Sequence, residues 1–346
     1  MKARQLQLAT ILCAAAAVLL AAFTPALLSA VRARQSASAP PGGASGKTTG
    51  STSKAGVEEL PRQSPPRPRM EYLGDWGTRG DGPANLDLAV AIASDALGMV
   101  YIADAGSGFI HKFTPSGHPL LAFDDPRVTN PVAIAVDSDG EIYTVDGRSG
   151  RVFVFSSLGD PDHEQHAGTL VRFRAPSAVA VDPDQDLYVA DTGLEAVALY
   201  DSRGRFVRAV ARGSTGSTRV HTPVALVAAP DGSLAVADGT SGLIYRFSPH
   251  GDFLGTLGQA SSPLRTKNPV SLAASDNFLF CFDAAPPRLL VWTLDGKPYF
   301  EQDLSARIAL SSGSSDTRAS LTFAVPDLLL LLDPSSGKVL RFRLFF

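Results

Sequence analysis

Cysteine is nearly missing from this chain of 346 residues, which holds only Cys13 and Cys281. Cys13 lies in an apolar N-terminal run, so Cys281 is left alone in the folded part and no disulfide framework can form. The shortage also excludes zinc sites of four cysteines or of two cysteines with two histidines, and the wide separation excludes CxxC redox chemistry. Helix formers do not dominate, while 31 Gly and 25 Pro punctuate the chain with turns, which argues against a helical bundle. Hydrophobic residues still make up 45% of the chain, enough to build a core and to exclude wholesale disorder.

Charge is sparse and unevenly placed. Residues 1–69 carry 9 Lys+Arg against 2 acids, whereas the remainder carries 22 against 32, so a basic tail precedes an acidic body. Nucleic-acid binding depends on neutralising many phosphates, and an acidic body argues against it.

Lys2 and Arg4 precede 27 uncharged residues, with Leu6 to Phe23 rich in Leu and Ala. This pattern predicts a signal peptide or signal anchor over 1–31 and an exported chain, secreted or held in the cell envelope by a single N-terminal membrane segment. Residues 32–69 are rich in Ser, Gly, Pro and Thr and form a predicted disordered linker with a reach of roughly 35 Å. Its Pro65 to Arg69 end reads as a stiff spacer or a polyproline ligand.

Beyond the linker one unit recurs six times: IADAGSGFIHKF, TVDGRSGRVFVF, VADTGLEAVALY, VADGTSGLIYRF, CFDAAPPRLLVW and LLDPSSGKVLRF. Each places an Asp nine residues before an aromatic: Asp104 with Phe113, Asp146 with Phe155, Asp191 with Tyr200, Asp238 with Phe247, Asp283 with Trp292, and Asp333 with Phe342. A glycine follows four residues later in five units. Upstream, two apolar runs flank an acidic turn, as in PVAIAVDSDGEIYTVD, which is a β-hairpin signature. Four antiparallel strands every 42 to 50 residues is the arithmetic of a propeller blade. The sixth unit ends after its third strand, while Tyr72 to Gly77 has the outer-strand pattern with no strand before it. The expectation is therefore an all-β fold over 70–346, a six-bladed β-propeller of four-stranded blades whose last blade is closed by the N-terminal strand.

These units resemble NHL repeats, and the resemblance implies a six-bladed ring. The turn positions that carry the family's Asn-His signature read differently here, as Ser107-Gly108-Phe109 and Ser149-Gly150-Arg151 for example, so the resemblance is that of a divergent member. Six-bladed lactonases and amidating lyases resemble this architecture and hold calcium or zinc in the channel. The inner strands here, AVAIAS, VAIAV, SAVAV, VALVA, VSLAA and LTFAV, carry no such ligand set.

The six acids each end a strand before a tight turn, so they are expected to act as structural turn caps. The aromatics are expected to pack between blades. The H-x-x-H of His163 and His166, with His221, has permissive but weak metal spacing. Arg148, Arg151, Arg172, Arg174 and Arg288 fall with these histidines on loops of one face and mark the candidate surface for a protein, peptide or glycan partner. No nucleophile elbow, P-loop or dinucleotide fingerprint is present, and the sequence assigns no catalytic residue, metal ligand or cofactor. The reading is an exported, non-enzymatic binding propeller, with a metal-dependent lactonase-like hydrolase as the alternative.

Overall fold

Short apolar runs broken by Gly, Asp and Pro fold here into 23 strands and no helix among the residues described, which are 68–80, 85–161, 172–211, 220–308, 319–325 and 327–346 of a computed structural model. Each blade is an antiparallel meander. Blade one holds β2 (Ala89–Ser94), β3 (Val100–Asp104), β4 (Ile110–Phe113) and β5 (Pro119–Phe123) from inside to outside. Blade two shows β6 (Pro131–Val136), β7 (Ile142–Asp146) and β8 (Arg151–Phe155), and residues 162–171 lie outside the described set. Blade three holds β9 (Pro176–Val181), β10 (Leu187–Asp191), β11 (Ala196–Tyr200) and β12 (Phe206–Val210). Blade four holds β13 (Pro223–Ala228), β14 (Leu234–Asp238), β15 (Leu243–Phe247) and β16 (Phe253–Leu257). Blade five holds β17 (Pro269–Ala274), β18 (Phe278–Ala284), β19 (Pro287–Thr293) and β20 (Pro298–Asp303).

Blade six joins the two ends of the ring. β21 (Ser320–Val325), β22 (Leu328–Asp333) and β23 (Lys338–Phe345) are completed by β1 (Arg69–Trp76), which pairs antiparallel with β23 from Arg69↔Phe345 to Trp76↔Val339. The closing strand begins three residues earlier than the sequence pattern indicates. It covers the edge that β23 would otherwise expose. The inner strands neighbour one another in order, and β21 returns to β2.

Strand alternation sends successive side chains to opposite neighbours, and the core accordingly divides into six clusters, each between two adjacent blades. The six repeated aromatics all lie in these clusters and face the preceding blade. Phe113 meets Trp76 of the closing strand at 4.9 Å, and Phe155 meets Phe123 at 5.2 Å. Burying each such ring contributes about 2–3 kcal/mol. Cys281, fully buried beside Trp292, is a small core residue whose thiol burial pushes well upward, away from the reactive thiolate.

Candidate functional site

Two kinds of loop share one end of the ring, here called the upper face: the connections from an outer strand to the next inner strand, and the turns between second and third strands. The repeated aspartates hold these loops together. The amides of Thr129 and Asn130, just before β6, donate to Asp146 at 2.8 and 2.6 Å, and the turn amide of Ser149 donates to the same carboxylate. Asp104 receives Asp87 and Leu88, Asp191 receives Arg174 and Ala175, Asp238 receives His221 and Thr222, and Asp283 receives Lys267 and Asn268. Asp333 takes the amide and hydroxyl of Ser335, and the residues at its upstream offset lie outside the described set. The first five acids therefore each cap a turn and also clamp the connection from the preceding blade, while Asp333 is seen to cap its turn. Burial opposes ionisation of Asp146 and Asp238, but the surrounding amides and the Ser149 and Ser241 hydroxyls hold both below the ordinary carboxylate range.

This clamp brings four arginines into one arc. Arg172 Nε donates to the Ser149 carbonyl at 3.0 Å and Phe173 N to Gly150 O at 2.8 Å, which sets the Arg172–Arg174 segment against the turn between Arg148 and Arg151. Arg174 Cβ in turn lies against Gly193 of the next turn. All four side chains are exposed, and none joins an ion pair among the described residues. His221 continues the arc, its Nδ1 3.5 Å from Glu195 Oε2.

Arg288 does not join them. It contacts Asp283 at 2.9 Å and Glu301 at 2.7 Å and donates to the Arg265 carbonyl, with a side chain only 14% exposed. Burial opposes its charge, yet the bonds to Glu301 and Asp283 raise its pKa. Its place is structural. His163 and His166 lie outside the described residues.

The channel is lined by the inner strands and contains cavities of about 130 and 250 Å³. Its walls offer hydroxyls rather than carboxylates or imidazoles. Ser271 Oγ accepts Leu321 N at 2.9 Å and Ser320 Oγ accepts Ile92 N at 3.3 Å, so these serines link neighbouring blades. Because each inner strand ends its sheet, its free edge also turns backbone N–H and C=O groups inward, which makes the channel more polar than its alanine-rich sequence. Among the described residues no three His, Cys, Asp or Glu side chains converge as metal ligands, so these walls do not fit a channel calcium or zinc.

The NHL repeat family model matches residues 129–155, which run from the clamped connection through blade two to its repeated aromatic. The chain is a six-bladed propeller carrying an NHL repeat. No curated protein matches it. Among solved structures it is similar to a streptogramin B lyase, with a TM-score of 0.55 and 13% identity over 80% of this chain and 98% of that one. It is also similar to virginiamycin B lyase from Staphylococcus aureus, with a TM-score of 0.53 and 13% identity over 81% of this chain and all of that one. A catalytically inactive form of that lyase with quinupristin gives 0.55 at the same identity and coverage. At this identity the likeness extends to the fold and no further.

Proposed function

We propose that this NHL-repeat propeller is an exported or membrane-tethered binding protein whose upper face recognises an anionic segment of a protein, peptide or glycan. The supporting observation is the arc of Arg148, Arg151, Arg172 and Arg174, exposed and free of ion pairs among the described residues, on loops fixed by buried carboxylates. Pre-set loops lose little entropy on binding, and clustered guanidinium groups attract carboxylate or sulfate. Replacing all four arginines with alanine should abolish recovery of the native partner from the cell envelope while the ring stays folded. Unchanged recovery would sink the assignment.

The second reading is a metal-dependent lactonase-like hydrolase, and solved propellers of the same fold include enzymes. A metal-dependent hydrolase on this scaffold would need ligands from outside the channel strands, and the H-x-x-H of His163 and His166 is the sequence feature that would have to supply them. Elemental analysis of the purified chain tests it: about one calcium or zinc per chain would favour the enzyme.

A further inference from the structure

The opposite, lower face carries the turns between first and second strands and between third and outer strands, and it divides around the channel mouth into two unlike halves. On blades five and six, Phe278 stacks on Phe346 with centroids 4.4 Å apart and meets Tyr299 at 4.6 Å, while Phe280 meets Phe323 at 4.7 Å. Phe280 is fully buried and anchors the cluster to the core, and the cluster opens to solvent at Tyr299, 37% exposed, Val325, 39%, and Phe346, 43%. Leu97, 81% exposed, extends the patch onto blade one, where Gly98 lies against Ala324 and Val325. A contiguous exposed aromatic surface is the mark of a docking site rather than of random surface apolarity.

On blades two to four the turns between first and second strands read Asp137-Ser138-Asp139-Gly140-Glu141, Asp182-Pro183-Asp184-Gln185-Asp186 and Pro230-Asp231-Gly232, without one lysine or arginine, and the turns between third and outer strands add Asp160, Asp201 and Asp252 against Arg203 and Arg205. Burial, followed by the neighbouring carboxylates, raises the pKa of Asp186, and although Arg205 pairs with Asp201 and Arg246 lies near Asp231, carboxylates outnumber cations on this half.

We infer that this face docks a cationic amphipathic segment of a protein partner, its apolar side chains on the aromatic patch and its lysines or arginines on the carboxylates across the mouth. Charge complementarity selects that occupant over two others. A bilayer would press lipid phosphates against the acidic half. A second copy of this chain would offer the arginine arc with Leu194 as its exposed large apolar side chain, too little to cover the aromatic half.

The test is fluorescence anisotropy of the full chain with a labelled amphipathic lysine–leucine peptide. Binding is expected, weakened roughly tenfold by the triple variant Asp139→Asn, Asp184→Asn, Asp231→Asn and to a similar degree by Leu97→Ser. A glutamate–leucine peptide of the same pattern should not bind. Equal binding of both peptides, or wild-type affinity in either folded variant, would overturn the inference. So would sedimentation of the chain with phosphatidylcholine vesicles that the lysine–leucine peptide fails to compete, or peptide-insensitive self-association that Leu97→Ser abolishes, which would assign the patch to lipid or to a second copy. Both Leu97 and the three aspartates are exposed, and native circular dichroism of the variants separates lost binding from lost folding.

Discussion

The backbone N–H of Asn130 donates to the Asp146 carboxylate at 2.6 Å, joining the connection between blades one and two to the second strand of blade two. Removing that acceptor strands the amides of Thr129, Asn130 and Ser149 in a part-buried site. Asp146→Ala should therefore cost about 2–4 kcal/mol, and Asp146→Asn, which keeps one oxygen, clearly less. Urea unfolding of the two variants measures the difference.

Acid should unfold the ring through the same groups. Asp146 and Asp238 have folded pKa values below their unfolded ones, so their stabilisation is complete above the ordinary aspartate range and is lost as pH falls through the folded values. Asp186 has the opposite sign: burial and its acidic neighbours raise its pKa, so its charge opposes folding at neutral pH. Asp186→Asn should raise the Tm at pH 7 by on the order of 1 °C, a gain that vanishes once the carboxyl is protonated in both states. Calorimetric scans from pH 7 downward test both signs.

Gly117 turns the chain at φ +91°, and a Cβ there would overlap the Trp76 indole. Gly117→Ala therefore combines backbone strain with a clash at the seam that closes the ring, and is expected to cost about 2–4 kcal/mol. Gly159 stands in the same relation to Phe123. Thermal unfolding should show a similar loss there.

Arg288 should behave as a structural residue. Arg288→Ala leaves Asp283 buried without its guanidinium partner and is expected to destabilise the ring by about 3 kcal/mol, with partner affinity unchanged in the fraction that stays folded. Paired stability and binding measurements separate the two effects.

Much of this architecture was legible because each blade solves the same packing problem. Strand alternation, the Asp-to-aromatic spacing and the missing last outer strand locate the blades and the β1–β23 closure from sequence alone. The clamp was encoded more quietly, in the 15-residue offset from Pro131 to Asp146, Pro176 to Asp191 and Pro223 to Asp238, since the donor amides lie just before each proline. The ion pairs of Arg288 and the aromatic patch around Phe278 and Phe346 left no such trace. They depend on which side chains the twisted sheets carry into contact, and a repeat pattern does not specify that.

The central claim is that recognition runs through the arginine arc of the upper face. A photocrosslinking residue at Arg151, introduced into the full chain in its native cell, tests it most directly. The account predicts one specific adduct that disappears when Arg148, Arg172 and Arg174 are replaced by alanine. No adduct, or one indifferent to those replacements, would contradict it.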